Sequence, residues 1–369
     1  MLKITIPRNL IIKPLQSLLS IADKKHTLPV LSCILLTITE NSLVFQVFDL
    51  EIEIILYIPI SHDFQHGKIA IPVRKFNSII RHLPENSEIH IAEELNNRII
   101  ISSNRSRFAL SSFKPSLFPS LNKVSKKVSL VISLKHLMLA IKRVQFAMAL
   151  NDVRYFLNGM LWEIRHNKFR TVATDGHRMA RSEILLSTDF SEHVQIIVPR
   201  KAILELQKLS ATAVDTEITV EISDNHFEII FANFRFTSKL IEGRFPDYTR
   251  VIPPNNTKHL IANRLLLKQA LTRTAILSNE LYRSVRLTIE QNSLFLSANN
   301  PDHEEAQDQL DVNYSDTCLE IGFNVNYLLD IVNVLDSDLV NFYFDSPSMS
   351  LLVQDEPSHS LYVVSPIKL

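Results

Sequence analysis

The sequence predicts an α+β protein of three similar domains, each with two helices against antiparallel sheets. Three observations point there. A unit of about 126 residues recurs three times along the 369 residues. Each of the first two copies holds a strand, a helix and three strands, and then that series again. The strand stretches alternate apolar and polar residues, and the helical stretches repeat apolar residues every three to four positions. Segregated helices and hairpin-linked strands make α+β rather than a parallel α/β sheet.

The first copy shows the order. LKITI at the start reads as a strand, and Leu10, Leu15, Leu18 and Leu19 make one face of a helix over Asn9–Ala22. Strands are expected at Val30–Thr39, Leu43–Phe48, Glu51–Ile58 and Lys68–Ile71, then a helix over Arg74–Leu83. Glu88–Ala92, Arg98–Ser103 and Phe108–Ser112 complete the copy as strands.

The other copies keep step. SLVFQVFDLEIEI (42–54), FRTVATDGHRMA (169–180) and SLFLSANNPDHEEA (293–306) each run as a strand into a polar pair, placing Asp49, Asp175 and Asn300 in register. IPVRKFNSIIRHL (71–83), IVPRKAILELQKL (197–209) and FNVNYLLDIVNVL (323–335) are the second helices. The first helices recur at Leu134–Ala149 and Asn263–Leu277, and FPSL (118–121) returns as FPDY (245–248). Linkers are expected at Asn122–Val128 and Pro253–His259, giving domains 1–127, 128–255 and 256–369.

Composition narrows function. The five glycines, Gly67, Gly159, Gly176, Gly243 and Gly322, are too dispersed for a dinucleotide fingerprint or a phosphate loop. Cys33 and Cys318 make no disulfide framework and no cysteine zinc site. No long apolar run marks a membrane span, so a soluble, cytoplasmic protein is expected, without cofactor or metal. Charge is zero overall, but net +6 over 1–127, +2 over 128–255 and −8 over 256–369. A basic end and an acidic end suit head-to-tail association between copies.

Basic residues mark five of the six predicted helices. They are Lys13, Lys24 and Lys25; Arg74, Lys75 and Arg81; Lys135, Lys142 and Arg143; Arg200, Lys201 and Lys208; and Arg264, Lys268 and Arg273. The sixth, Val325–Leu335, has none. Solvated helix faces are the bland alternative. Scattered cations without any groove-reading motif suit sequence-independent phosphate contact.

The ordered motifs carry a resemblance over the whole chain. They are His26-Thr27-Leu28-Pro29-Val30-Leu31, FDLEIE (48–53), IPVRKF (71–76), SRFALS (106–111), DVRYFLNGMLWE (152–163), TVATDGHRMA (171–180) and IVPRK (197–201). FTSKLIEGRFPDYTRV (236–251), RTAILSNE (273–280), ANNPDHEEA (298–306), EIGFNVNYLLD (320–330) and YVVSPIKL (362–369) follow. In this order the chain resembles the bacterial sliding clamps, the β subunits of DNA polymerase III holoenzyme. The resemblance implies the DNA clamp fold and a ring-shaped head-to-tail homodimer. Such a ring encircles and slides on duplex DNA as a non-enzymatic processivity factor. It tethers the polymerase III catalytic subunit, the clamp loader and other clamp-binding proteins, and no membrane.

By that resemblance DNA contacts fall on Lys25, Arg74, Asn151, Tyr155 and Phe156, with Arg200 and Lys201 as further phosphate contacts. Lys25 stands where arginine is usual, Asn151 where glutamine is common, and Phe156 where tyrosine is common. A groove for partner peptides falls on Leu157, Thr174, Gly176, His177, Arg178, Met179, Pro246, Arg250, Val251, Val363, Val364, Ser365, Pro366, Ile367 and Lys368. Met179 replaces a usual leucine; Ser365 and Ile367 replace methionines. The dimer contact falls on Phe108 and Leu110 of one copy and Ile276 and Leu277 of the other; the alternative for the last two is the buried face of their own helix.

Two other classes compete. An enzyme could use Asp175-Gly176-His177 as an acid–base pair or Asp302-His303-Glu304-Glu305 as metal ligands, but neither has a third partner at a characteristic spacing. Polar turns between strands explain both. A pure protein scaffold would show no salt-dependent association with circular DNA.

Overall fold

The computed structural model describes residues 1–22, 28–61, 64–121, 126–211, 216–254 and 256–368. In the first third lie β1 (Lys3–Pro7), α1 (Arg8–Ala22), β2 (Cys33–Ile38), β3 (Ser42–Phe48), β4 (Ile52–Pro59), β5 (Phe64–Gln65), β6 (Gly67–Pro72), α2 (Val73–His82), β7 (Glu88–Glu94), β8 (Arg98–Ser103) and β9 (Ser106–Ser111). The middle holds β10 (Val128–Ser133), α3 (Leu134–Val144), β11 (Gly159–Thr174), β12 (Arg178–Pro199), α4 (Arg200–Ser210), β13 (Glu217–Ile222), β14 (His226–Phe231) and β15 (Phe234–Lys239). The last third holds β16 (Lys258–Asn263), α5 (Arg264–Ala275), β17 (Ser284–Glu290), β18 (Ser293–Asn299), β19 (Glu305–Asp311), β20 (Leu319–Asn324), α6 (Val325–Val334), β21 (Leu339–Phe344), β22 (Leu351–Asp355) and β23 (Ser360–Val364).

Each repeat thus contributes two helices, and every paired strand among the described residues is antiparallel. The register of the repeat is visible in one turn made three times. Asp49 Oδ1 accepts from the N–H of Glu51 and Ile52, at 3.2 and 2.9 Å. Asp175 Oδ1 accepts from His177 and Arg178 at 2.9 and 3.0 Å. Asn300 Oδ1 accepts from Asp302 and Glu304 at 3.1 and 3.0 Å. A short side-chain acceptor satisfying backbone donors two to four residues on is what such a turn needs.

Several expectations shift in detail. The strand expected over Val30–Thr39 opens instead as a single 3-10 turn, Pro29–Ser32. Proline fixes φ there and has no N–H to give a ladder. The helix expected to reach Ala149 leaves α geometry at Val144, and Gln145–Ala147 tighten into 3-10. The middle repeat merges its strands into one long hairpin, β11 with β12, whose register slips around His166. Such slips mark β-bulges, which bend a ladder without ending it.

The chain packs as two compact units, residues 1–135 with 204–240, and 136–203 with 241–369. In the first, an eight-stranded sheet runs β10-β13-β14-β15-β4-β3-β2-β6 and a five-stranded sheet runs β5-β1-β7-β8-β9. In the second, a six-stranded sheet runs β11-β12-β23-β22-β21-β16 and a four-stranded sheet runs β19-β18-β17-β20. Strand pairs β15–β4 and β12–β23 therefore carry a sheet from one sequence repeat into the next. Helix α1 buries Ile11, Leu15 and Leu18 in the first unit, and Phe45 meets Phe76 of α2 edge to face. Trp162 and Phe169 are wholly buried in the second unit.

Candidate functional site

An apolar cluster in the second unit gathers residues from distant parts of the chain. Leu157, Met179 and Val363, three of the residues expected to line a peptide groove, are buried in it. So are Phe245, Tyr248, Leu352 and Leu361, which sequence reasoning missed. Sheet register brings the parts together: β23 pairs with β12 so that Val363 faces Met179 and Val364 faces Arg178. Beyond β23, the Ser365 N–H donates to the His177 carbonyl at 2.9 Å. Pro246, Arg250 and Val251 are exposed beside Phe245 and Tyr248, with Arg250 held by Asp247 at 3.0 Å. Half-buried Ser365 and Pro366 follow the strand. An apolar floor with a few polar rim groups can seat the anchors of a linear peptide.

The loop between β11 and β12 is fastened on both sides. Thr174 Oγ1 donates to the Arg178 carbonyl at 2.7 Å and accepts the Gly176 N–H at 3.1 Å. Gly176 has φ +92°, and a Cβ there would lie 2.9 Å from an Arg154 guanidinium nitrogen. Arg154 forks onto Asp152 at 3.0 and 2.8 Å and also donates to the Asp175 carbonyl at 3.3 Å. Hydrogen bonds from Arg154 hold the Asp152 carboxyl down at about 2.

The Arg178 side chain is held by acceptors within the chain. Its guanidinium donates to Asp175 at 3.0 Å, Asp330 of α6 at 2.5 Å and the Phe146 carbonyl at 2.6 Å. It also lies 4.3 Å over the Tyr327 ring, a cation–π contact. Ile367 donates its N–H to the Gly322 carbonyl at 2.8 Å and is not among the side chains packed on the cluster. Lys368 reaches a depression over β17, β18 and β19.

Beneath the rim sits a buried carboxylate. Glu163 accepts from Tyr248 Oη at 2.7 Å, His193 Nε2 and Gln195 Nε2 at 2.8 Å, and Arg170 at 3.3 Å. Burial pushes its pKa up, but these four donors reverse that and leave it at about 2. Burial, with Glu163 adding, raises the Tyr248 phenol to about 12.

The cationic candidates fall on both units. In the first, Arg74 and Lys75 are exposed in the opening turn of α2, while Val73, Phe76 and Ile80 bury the opposite face. Lys25, and Lys24 beside it, lie outside the described residues. In the second, Arg200 opens α4 and donates to the Met148 carbonyl at 3.2 Å; Lys201 follows it, half-buried. The segment after Met148 holds Asn151, at φ +57°, and exposed Tyr155. Phe156 meets Tyr155 edge to face at 5.8 Å but packs on the apolar cluster.

Phe108 and half-buried Leu110 lie on β9, the end strand of its sheet. Ile276 follows α5 and is 74% exposed, so it is no part of that helix's buried face; Leu277 is half-buried. Among the described residues no group of three or more His, Cys, Asp or Glu is placed to hold a metal ion. No helix among them is long and apolar enough to cross a membrane.

Family models of the DNA polymerase III beta subunit match the chain in succession: the N-terminal domain over residues 2–122, the central domain over 131–247 and the C-terminal domain over 249–368. A beta sliding clamp of Vibrio cholerae is 42% identical over 369 residues, the whole of both chains. One of Escherichia coli K12 is 41% identical over the same span. The solved structure of a Pseudomonas aeruginosa DNA polymerase sliding clamp with ligand has a TM-score of 0.97 at 39% identity, covering all of both chains. A Pseudomonas aeruginosa clamp bound to griselimycin has 0.96 at 39% identity, again over all of both.

Proposed function

The chain belongs to the DNA polymerase III beta subunit family, the bacterial sliding clamps, and on that premise we propose that two copies close head to tail around duplex DNA. The family is a non-catalytic processivity factor, and this chain is a DNA polymerase processivity clamp. We place its domains at 1–127, 128–255 and 256–369, and the clamp in the cytoplasm.

The observation that carries the DNA reading is the charge at the helix starts. None of the six helices has an acidic residue in its first turn. Arg74 and Lys75, Lys135, Arg200 and Lys201, and Arg264 stand there instead. The helix dipole favours anions at that end, so cations there cost helix stability. A duplex, which supplies phosphates at every step, would offset that cost. Arg74, Arg200 and Lys201, with Lys25, Asn151, Tyr155 and Phe156, are the proposed DNA contacts.

Closure of the ring is supported by two strands that end their sheets among the described residues. β9 ends one sheet and carries Arg107; β19 ends another and carries Glu305, Asp308 and Asp311. Exposed edges pair readily with another chain, and opposite charge directs which edges meet. Phe108 and Leu110 of one copy would pack on Ile276 and Leu277 of the next. The apolar cluster beneath His177, Pro246 and Val251 is the proposed seat for linear peptides of the polymerase catalytic subunit, the clamp loader and other partners. Retention on closed circular DNA tests the ring.

A further inference from the structure

The first unit repeats the frame of the proposed peptide groove but not its floor. Positions 126 residues apart correspond along the chain. Leu31 and Leu35 stand where Leu157 and Leu161 stand, and each pair is buried in the apolar cluster of its own unit. Phe118 and Phe245, the first residues of FPSL and FPDY, are buried in the same two clusters. Strand pairing repeats as well. Glu53 of β4 pairs with Thr237 of β15, as Met179 of β12 pairs with Val363 of β23. Ile55 pairs with Arg235, as Arg181 pairs with Leu361. On the next strand Glu228 pairs with Thr237, as Leu352 pairs with Val363.

The floor positions matched in this way change character. Met179, Val363, Leu361 and Leu352 are buried in the apolar cluster of the second unit. Their counterparts are Glu53, Thr237, Arg235 and Glu228, and Gln46 takes the place of buried Val172. These polar groups engage one another. Gln46 donates to Glu53 at 2.8 Å, Thr237 Oγ1 donates to Glu228 at 3.2 Å, and Arg235 stands 3.8 Å from Glu228. All five line a cavity of about 400 Å³. Space is retained, while the apolar surface that would hold a peptide anchor is gone.

We propose that this polar floor, with Glu53 in the place of Met179, denies the first unit to linear peptides and so fixes one peptide site per chain. The role presupposes the peptide groove proposed above for the second unit. An apolar anchor entering the first unit would cover the Glu53 carboxylate and the Glu228–Arg235 pair without replacing the water it displaces, which is costly for charged groups. Discrimination between two sites built on one frame is achieved by an unfavourable element in the site to be refused.

Anisotropy titration of the full-length protein with a fluorescent linear peptide carrying apolar anchors tests this. Wild type should bind one peptide per chain. Met179→Glu, which moves the carboxylate to the matching place in the second unit, should weaken binding at least about tenfold. In the Met179→Glu chain, the exchange Glu53→Met, Glu228→Leu, Arg235→Leu and Thr237→Val should restore saturable binding at one peptide per chain. Should the fourfold exchange fail to fold, as read by circular dichroism, Glu53→Met with Thr237→Val in the same chain decides. Wild-type affinity in the folded Met179→Glu protein overturns the groove reading and this role with it. Loss in Met179→Glu without restoration in the folded exchange, or two peptides per chain in wild type, overturns this role alone.

Discussion

The Tyr248 hydroxyl donates to the Glu163 carboxylate at 2.7 Å, joining the proposed groove rim to the long β11–β12 hairpin. Tyr248 opens the short 3-10 turn Tyr248–Val251 that carries Arg250 and Val251, so this bond sets where the rim stands. The rim is thus held from below by a charge-assisted hydrogen bond.

That bond makes a pH prediction. Glu163 has a folded value of about 2, below its ordinary 4.5. A depressed carboxylate contributes stability that is full above the ordinary value and is lost as pH falls toward the folded one. Urea melts should therefore weaken between about pH 5 and pH 2, and Glu163→Gln should flatten that slope. Tyr248→Phe should cost about 1.5–3 kcal/mol at pH 7, the range for a hydrogen bond to a charged group. An identical pH slope in wild type and Glu163→Gln would contradict the assignment.

In the proposed groove Arg178 would act as a positioning residue. It ties the loop holding Gly176 and His177 to α6 through Asp330 and to the end of the α3 segment through Phe146. Arg178→Lys keeps the charge but cannot make the three-way fork. A fluorescent linear peptide with apolar anchors should bind this variant about tenfold more weakly, or about 1.4 kcal/mol, mostly through faster release. Unchanged release from a folded variant would remove Arg178 from that role.

The proposed dimer contact is tested by Ile276→Ala combined with Leu277→Ala. Interface anchors typically contribute more than about 1 kcal/mol each on truncation, so the pair should raise the dimer dissociation constant at least about 30-fold. Sedimentation at low concentration should show a folded monomer, because Ile276 is exposed within its own chain. A dimer as tight as wild type would move the interface elsewhere.

Much of the fold was legible because it is local. Asp49, Asp175 and Asn300 announce the same turn in each copy, and each satisfies its own neighbours two to four residues on. The three-domain fold and the family agree with what the motifs led one to expect. The groove floor was only half legible. Leu361 reaches it by pairing with Arg181 of β12, far away in the chain, and Leu352 by pairing with Val363 on the next strand; periodicity reports which face of a strand is apolar, not what covers it. Phe245 and Tyr248 stand in FPDY, a motif whose recurrence marks the repeat without showing what either ring packs against. Arg178 looked like a rim residue because its acceptors Asp330 and the Phe146 carbonyl are 152 and 32 residues away.

The most direct test of the account is retention on DNA of defined topology. The protein is loaded onto nicked circular duplex, and bound protein is measured by gel filtration before and after a single linearising cut. A closed ring has no exit on a circle, whereas a cut lets it slide off an end. The account predicts retention on the circle, persisting when salt is raised enough to weaken phosphate contacts, and loss after linearisation. Neutralising Arg74, Lys75, Arg200 and Lys201 should leave that topological retention in place while reducing salt-sensitive contact. Equal loss from circular and linear DNA would contradict the ring.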